Sequence, residues 1–447
     1  MTKIHSSSHT FIHRYLVLLL LGIPSLFTHA QQPLTLAGAI AKGLENNFQI
    51  RIAEQNFNIA ALANSQGTAG RWPSITLGLN NINRYDNTPE LDSATFSFTR
   101  SDIYSNSLTP YVNVKWLLFD GLSVTMNKQK LDLLEEYSAG YSTIVVENTL
   151  QAIILGYYNA LLEQERLRVL NEVKDLSGDR YDYEMMRKEL GSSVTFDVLQ
   201  AKNSFLSDST NYLLQELNVM NAYLRLNLLL GEPPSVQFSL TDSFQVVLQQ
   251  YVLTELMEKM LASNANLLNQ YVNQEILKKS VSISKSDLWP SISMNAGMDY
   301  TQGWYDFNKN EANTYLFDYY ANFSLSFNLF NGGNTWRAIK TAKINEQIGT
   351  LQMQQLTQTL ENLLVTQFEL YRIRQQLLQV AQLNMESAEL NMHIATEKYR
   401  NGTISSFNFR DVQLIYLNAA SKKLNAIYDL IDSQTELLRL TGGIVSQ

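Results

Sequence analysis

Apolar and polar residues follow two different periods in turn along most of this chain. Over residues 34–70 the apolar positions lie three and four residues apart, which predicts an amphipathic helix that ends before Pro73. Strict alternation then predicts two strands, at 74–85 and 110–118, each with one apolar and one polar face. The helical period returns afterwards and predicts a long helical hairpin over 122–230.

The second half of the chain repeats this order. It predicts, in turn, a short strand near 236–240, a helix over 252–288, strands at 291–301 and 319–329, and a helical hairpin over 333–440. In both halves a polar stretch joins the two strands, and these stretches, 86–107 and 302–318, are interpreted as loops.

Short motifs indicate that the two halves are copies of one unit. Trp72-Pro73-Ser74-Ile75 recurs at 289–292, an offset of 217, whereas Gly191 and Gly402 are 211 residues apart. One insertion between residues 75 and 118 explains the change in offset. The sequence therefore predicts a segment 1–30 followed by two repeats, 31–235 and 236–447, that together form one domain.

The first stretch of each helical hairpin is unusually long. Residues 122–189 and 333–400 are 68 residues each and contain no proline, so each predicts about 100 Å of helix at ~1.5 Å per residue. Such helices are typical of coiled coils, in which helix packs on helix. We expect the chain to turn back at Gly191 and at Asn401-Gly402.

The first 30 residues have the three parts of a secretory signal peptide. Lys3 and Arg14 precede an apolar run, and Thr28-His29-Ala30 follows it as the cleavage region, with cleavage expected after Ala30. Without this segment 32 basic and 42 acidic residues remain, a net charge of −10, which argues against a nucleic-acid partner. No later stretch is long and apolar enough to predict a transmembrane helix.

The composition leaves little catalytic chemistry. There is no cysteine, and four of the five histidines lie in the first 29 residues, so His393 is the only imidazole in the rest of the chain. Glu386, Glu389 and Glu397 lie near His393 at helical spacing, and a surface histidine is favoured there over a metal ligand. We expect no enzyme activity, no catalytic residue, no metal and no cofactor.

The strands have the length and patterning of membrane strands. Four strands of about ten residues suit a bilayer, with the polar faces towards water, but four cannot close a barrel. Because unpaired strand edges are not viable in lipid, several copies would have to contribute their strands to one closed barrel. Aromatic residues form two groups, as the two membrane interfaces would select. One group lies where strands join helices and the other near the loops: Trp72, Trp116, Phe119, Trp289, Phe330 and Trp336, and Tyr85, Tyr111, Tyr300, Tyr315 and Tyr319.

This order of elements resembles the TolC-type outer-membrane efflux proteins, also called outer membrane factors. The resemblance covers residues 34–442 and rests on Leu34-Thr35-Leu36, the two Trp-Pro-Ser-Ile motifs, Leu329-Phe330-Asn331-Gly332-Gly333 and Tyr399-Arg400-Asn401-Gly402-Thr403. It implies a mainly α-helical homotrimer with transmembrane β-strands, in which a twelve-stranded β-barrel in the Gram-negative outer membrane continues as a periplasmic α-helical barrel.

The resemblance also implies partners and a site. The partners would be outer-membrane lipid, a periplasmic adaptor (membrane fusion) protein, and an inner-membrane pump or ABC exporter, with the trimer as a passive exit duct for tripartite efflux or type I secretion. The periplasmic entrance would lie just past the hairpin turns Gly191 and Gly402. Asp197, Asn408, Asp411 and Tyr399 occupy the matching positions there.

Two of these positions depart from the family pattern. Asn408 stands where several relatives have the first of two acidic residues, so an acidic ring rests on Asp411. Ile404 stands where relatives have a basic residue, so the tie between adjacent hairpins that involves Tyr399 and Asp197 lacks its charge here. For Asp411 and Asp197 the alternative is an ordinary solvated helix residue.

Another class of function remains open from the sequence alone. A periplasmic or cell-surface coiled-coil protein, structural or adhesive, would use the alternating segments as a soluble β-domain. Such a domain would have an apolar interior and no aromatic residues at membrane interfaces.

Overall fold

The computed structural model describes residues 32–307 and 310–444, so the predicted signal peptide lies outside the described residues. Most of this part is helical, and one four-stranded sheet stands at one end of the helices. The helices are α1 (Leu36–Asn46), α2 (Phe48–Ala63), α3 (Ser123–Glu189), α4 (Thr195–Leu230), α5 (Leu253–Ser263), α6 (Ala265–Ser286), α7 (Asn334–Arg400) and α8 (Ser406–Leu440). The strands are β1 (Gln32–Leu34), β2 (Ser74–Asp92), β3 (Ser97–Asp120), β4 (Phe238–Leu240), β5 (Ser291–Phe307) and β6 (Asn310–Ser326).

The helices predicted over 34–70 and 252–288 are each two helices, so the prediction of one continuous helix is wrong. The breaks lie at Asn47 and Asn264, whose backbones are extended (φ −61°, ψ 128° and φ −65°, ψ 118°). The Asn47 side chain accepts a hydrogen bond from the Ile50 N–H, and Asn264 accepts one from the Leu267 N–H. Asparagine competes with the helical backbone in this way, and therefore ends one helix and caps the next.

Most of the two polar segments predicted as loops, 86–92 with 97–107 and 302–307 with 310–318, is strand. β2 and β3 pair without interruption from Ser74↔Lys115 to Asp92↔Ser97, and β5 and β6 pair from Ser291↔Ser326 to Phe307↔Asn310. Polar side chains on a strand that faces water are compatible with a complete ladder, because the ladder bonds belong to the backbone. At the other end the strand predicted over 319–329 stops at Ser326.

The four strands form one antiparallel sheet in the order β2-β3-β5-β6. One face, named the apolar face, carries rows of hydrophobic side chains across all four strands, such as Leu77, Val112, Met298 and Tyr319. The other, the polar face, carries rows such as Thr76, Asn113, Gly297 and Tyr320. Both edge strands, β2 and β6, have an unpaired side in the described chain.

Glycine on the polar face makes room for tyrosine rings. A Cβ atom on Gly78 would lie 2.4 Å from the ring of Tyr111 on the neighbouring strand, and one on Gly297 would lie 2.8 Å from the Tyr320 hydroxyl. Such a close approach is open to glycine alone. The aromatic rings therefore lie flat against the sheet on this face.

The two 67-residue helices, α3 and α7, start beside the sheet and run the length of the helical part. The helices form two levels. In the upper level, near the sheet, the lateral order is α2-α3-α6-α7, and in the lower level, farther from the sheet, it is α4-α3-α8-α7. Between these two levels β1 pairs with β4 in parallel. The edges of the helical layer are therefore α7 on one side and α2 with α4 on the other.

Helix packing in the lower level follows a heptad pattern. Buried residues of α7 recur at alternating spacings of three and four from Leu378 to Tyr399, and they pack on Val169 and Val173 of α3 and on α8. This spacing keeps one seam of a long helix against its neighbours. No helix in the described ranges carries a stretch that is apolar and long enough to cross a lipid bilayer.

Candidate functional site

The two helix turns farthest from the sheet have the same backbone geometry. Gly191 and Gly402 adopt left-handed conformations, with φ of 74° and 68°. The Ser192 N–H donates to the Arg187 carbonyl (2.8 Å), and the Thr403 N–H donates to the carbonyl five residues earlier (2.9 Å). This is the Schellman arrangement, in which a glycine ends the helix, and it turns the chain back towards the sheet in both repeats.

A hydrogen bond joins the two turn regions. The Tyr399 hydroxyl on α7 donates to the Glu184 carboxylate on α3 (2.8 Å), and both residues are buried. The Tyr399 ring also stacks on Phe409 of α8, with ring centroids 4.6 Å apart. Burial and the adjacent Glu184 carboxylate raise the pKa of Tyr399, so the phenol stays neutral and donates.

Glu184 accepts three of the hydrogen bonds around this contact. Its carboxylate accepts hydrogen bonds from the Tyr399 hydroxyl, from Ser193 Oγ in the first turn (2.7 Å) and from Arg187 Nη1 (3.3 Å). A buried carboxylate needs such donors because it has left the water that solvated it. Glu184 thus holds its own turn and the second repeat in one arrangement.

A second buried pair links α4 to α8 close by. The Arg410 guanidinium binds the Asp208 carboxylate with two hydrogen bonds, Nη1 to Oδ2 (2.5 Å) and Nη2 to Oδ1 (2.8 Å), and Ser177 Oγ also donates to Asp208. The Asp208 side chain is 2% exposed and that of Arg410 is 18% exposed. Two parallel hydrogen bonds fix the relative orientation of the two helices as well as their distance.

Arg180 lies between these two contacts. Its Nη1 donates to the Ser406 carbonyl (3.2 Å) at the start of α8, whereas Nε and Nη2 have no hydrogen-bond partner in the described residues. Burial, and then the nearby Arg410 charge, lower the pKa of Arg180. Two buried cations therefore share this region with two buried carboxylates, Glu184 and Asp208.

The acidic residues expected at an entrance occupy a different surface from this network. Asp197 is half-buried in the first turn of α4, where the helix dipole favours a carboxylate. Asp411 and Asn408 are exposed on α8, and within residues 32–307 and 310–444 no ion pair or side-chain hydrogen bond engages Asp411. The Tyr399 hydroxyl binds Glu184 and not Asp197.

Sequence reasoning missed Arg180, Glu184, Asp208 and Arg410. A signal was present for the first two, because Val173, Ser177, Arg180 and Glu184 follow a spacing of three and four along one helix seam. Polar and charged residues within an otherwise apolar seam indicate a buried polar contact. Their partners could not be deduced, since Glu184 and Tyr399 are 215 residues apart in the chain.

Known proteins share this architecture. The chain is 24% identical over 295 residues to the outer membrane protein TolC of Vibrio cholerae. This match covers 65% of this chain and 63% of that protein, which is less than two thirds of its length. The outer-membrane channel OprN has the same fold (TM-score 0.72, 17% identity, 91% of this chain and 90% of OprN). The outer membrane channel CmeC of Campylobacter jejuni is similar (TM-score 0.70, 17% identity, 91% of this chain and 85% of CmeC).

A family description also matches most of the chain. The model of the family described as outer membrane efflux protein covers residues 39–232 and 256–443, one match in each repeat. This confirms the resemblance found from the sequence motifs. The chain therefore belongs to the outer membrane efflux protein family, whose TolC-like channels lie in the Gram-negative outer membrane and extend into the periplasm.

Proposed function

We propose that three copies of this chain assemble side by side into a channel that serves as the exit duct of a tripartite efflux or type I secretion system. The observation that carries this proposal is the open four-stranded sheet, which has an apolar face, a polar face and two unpaired edges. In a bilayer such edges must be paired. Pairing β2 of one copy with β6 of the next closes a twelve-stranded barrel, with the polar face around the lumen.

The edge helices support the same assembly. Exposed apolar residues form stripes at helical spacing along α4 and α7, the two edges of the lower level. On α4 they are Leu199, Leu206, Leu213, Leu217, Met220, Leu224 and Leu228, and on α7 they are Ile373, Leu377, Val380, Leu390 and Ile394. Stripes of this kind on both edges of one layer suit head-to-tail packing of identical copies into a closed ring.

The upper level continues the pattern. Phe48, Ile52, Ile59 and Leu62 are exposed along α2, which lies on the same edge as α4, and Ile344, Ile348 and Leu351 are exposed on the opposite edge, α7. The complementary stripes therefore extend along the whole helical part. A ring of these layers forms a helical tunnel continuous with the barrel.

The helix turns form the periplasmic end of this tunnel. We infer that a periplasmic adaptor protein docks there and connects the duct to an inner-membrane pump or ABC exporter. The buried Tyr399–Glu184 contact holds the turns of each copy together, and three Asp411 carboxylates around the axis would favour cations at the narrow end. Passive conduction requires no cofactor.

Charge substitutions on the edge stripes test the assembly. Leu213→Asp on α4 and Leu377→Asp on α7 each place a carboxylate in the expected interface, where burying an unpaired charge is costly. We expect both variants to lose the trimer on native mass spectrometry and to lose channel conductance in planar bilayers. Asn211→Asp adds the same charge to α4 outside the stripe and is expected to remain trimeric. A wild-type chain that stays monomeric in detergent and conducts no ions would overturn the proposal.

A further inference from the structure

The apolar face of the sheet changes character towards the far end of the β2–β3 hairpin. Ile75, Leu77 and Leu79 of β2 lie on the apolar face, and by alternation Asn81, Asn83, Tyr85 and Asn87 continue that same face. Asn81 pairs with Leu108 on β3, and the partners further out are polar: Asn83 pairs with Asn106, Tyr85 with Tyr104 and Asn87 with Asp102. We name these three pairs, with Asn81, the outer ladder.

The boundary between the two regions runs across the whole sheet. Leu79 shares its level with Pro110 on β3, and on β5 and β6 the row of Tyr300 and Phe317 is the last with hydrophobic side chains on both of those strands. The next two rows on this face each combine one polar and one aromatic side chain, Gln302 with Tyr315 and then Trp304 with Asn313. Because the apolar rows face lipid in the outer membrane, the outer ladder begins where the hydrocarbon layer ends.

The hairpin is long enough to extend well beyond that level. β2 continues from Leu79 to Asp92, a rise of about 40 Å along the strand at ~3.3 Å per residue. β5 ends at Phe307, which pairs with Ile103 on β3, so β5 and β6 do not reach the outermost part of the β2–β3 hairpin. This part of the hairpin must therefore pass through the layer occupied by the headgroups of the outer leaflet.

Hydrogen bonds between neighbours hold the side chains of the outer ladder in place. Asn81 Oδ1 accepts from Asn83 Nδ2 (2.8 Å) and from Asn106 Nδ2 (3.3 Å), and Asn83 Oδ1 accepts from the Tyr104 hydroxyl (3.2 Å). Asn87 donates to the Asp102 carboxylate one level further out. Asn106 Nδ2 also donates to Asn83 Oδ1, so both of its N–H donors are engaged. A primary amide has two N–H donors, so among the described residues Asn81, Asn83 and Asn87 each keep at least one donor for a ligand while their rotamers are already fixed.

We propose that the outer ladder binds the sugar headgroups of glycolipid in the outer leaflet of the outer membrane. Amides offer donors and acceptors to sugar hydroxyls, and the Tyr85 and Tyr104 rings, 65% and 50% exposed, offer flat apolar surfaces to the sugar rings. The ladder contains no basic residue, and Arg100, the next residue of β3 on this face, lies one row further out, so the ladder itself suits hydroxyl groups and not the phosphates of the lipid. It is continuous with the lipid-facing surface, which brings the ligand to it.

Binding of two lipids to the purified full chain tests this assignment. The probes are rough-type lipopolysaccharide, which carries the core sugars, and lipid A, which has the same acyl part without them. Native mass spectrometry in detergent gives the affinity for each. For Asn83→Ala with Asn106→Ala we expect roughly tenfold weaker binding of the lipopolysaccharide, as for the loss of one or two hydrogen bonds, and unchanged binding of lipid A.

Two further variants complete the test. Ser105→Ala with Ser107→Ala changes the same stretch of β3 on the opposite face and is expected to leave both affinities unchanged. Tyr85→Phe with Tyr104→Phe keeps the rings and should weaken binding less than the alanine pair. Equal affinities of the wild type for the two lipids, or an asparagine variant that binds lipopolysaccharide like the wild type, would overturn the proposal. Conductance is recorded separately, so a failure of channel activity is distinguished from a failure of lipid binding.

Discussion

Tyr399 and Glu184 lie 215 residues apart in the chain, in different repeats, and their side chains are joined by a 2.8 Å hydrogen bond between the two helix turns. Both are buried, and Glu184 also binds its own turn through Ser193. The contact therefore fixes how the two halves of one copy meet at the end farthest from the sheet. If both repeats line a tunnel, as we propose, we expect the contact to set the width of the tunnel there.

Removing this hydrogen bond is expected to loosen the entrance. Tyr399→Phe keeps the ring stacked on Phe409 and removes one of the three donors to Glu184, a loss of about 1.5–3 kcal/mol for a hydrogen bond to a charged group. We expect a higher single-channel conductance in planar bilayers. Tyr183→Phe is the matched control, since Tyr183 contacts the Tyr399 ring and leaves the Tyr399–Glu184 bond in place. Equal conductance of the wild type and Tyr399→Phe would show that the Tyr399–Glu184 hydrogen bond does not narrow the entrance.

Asp411 is expected to set ion selectivity. Its carboxylate is exposed and has no ion pair within residues 32–307 and 310–444, so its charge acts on the solution nearby. Asp411→Asn should lower the preference for cations, measured as a smaller reversal potential in a salt gradient, with the fold unchanged. Glu389→Gln removes a carboxylate from α7, away from the turns, and serves as the control. An unchanged reversal potential would contradict the prediction that Asp411 sets ion selectivity at the entrance.

The buried pair Asp208–Arg410 is expected to be strongly coupled. Asp208→Asn leaves Arg410 buried without its counter-charge, which costs about 3–5 kcal/mol, whereas Asp208→Leu with Arg410→Met removes both charges and should cost less. Thermal loss of the helical circular dichroism signal measures both variants. A double variant less stable than Asp208→Asn would show that the pair is not the main contribution.

The two asparagine breaks are expected to be equivalent. The Asn47 side chain donates to the Leu229 carbonyl (2.7 Å), and Asn264 donates to the Leu440 carbonyl (3.0 Å), so each break binds the end of the returning helix in its own repeat. Asn47→Ala should cost about 1–3 kcal/mol through the lost cap and the unpaired carbonyl.

Aspartate separates these two contributions. Asn47→Asp keeps the acceptor that caps α2 and removes the donor to Leu229, so its melting temperature should lie between those of the wild type and Asn47→Ala. The same order is expected for Asn264→Asp and Asn264→Ala. A melting temperature of Asn47→Asp below that of Asn47→Ala would contradict the capping role.

Alkaline pH should weaken the packing around Tyr416. The carboxylate of Glu172 accepts a hydrogen bond from the Tyr416 hydroxyl (3.0 Å). Burial and this neighbouring carboxylate raise the pKa of Tyr416 from 10.0 to about 12. The unfolded chain therefore releases this proton first, and the stabilisation, complete below pH 10, is lost between pH 10 and 12. Urea unfolding across this range should show a smaller fall in stability for Tyr416→Phe. An identical fall in both proteins would argue against the raised pKa.

The long helices could be predicted from the sequence because their pattern is local and uninterrupted. No proline occurs over 122–189 or 333–400, and the glycines at 191 and 402 mark the returns. The sheet was predicted only where apolar and polar residues alternate. Beyond Tyr85 polar residues predominate in the hairpin and the alternation is lost, so its composition resembles that of a loop, although backbone pairing continues to Asp92.

The site was predicted in part for a similar reason. Tyr399, Asp197 and Asp411 were named because they follow motifs of the family; Tyr399 lies in the buried contact with Glu184, and the roles of Asp197 and Asp411 stay predictions. Glu184, Asp208 and Arg410 were not predicted. Their importance depends on partners that lie in another helix, and a single sequence does not say which buried charges meet. The breaks at Asn47 and Asn264 were missed because asparagine interrupts a helical pattern only weakly.

The unpaired sides of β2 and β6 have a consequence for biogenesis. Each newly secreted copy offers two free backbone ladders to any extended polypeptide it encounters, and these are the surfaces from which sheet aggregates grow. In the proposed assembly these strands are protected once the neighbouring copies pair with them, and until then a chaperone that occupies the strands would protect them. The yield of finished channels should therefore depend on how quickly copies meet one another after export, and should fall steeply when expression is low or periplasmic chaperones are depleted.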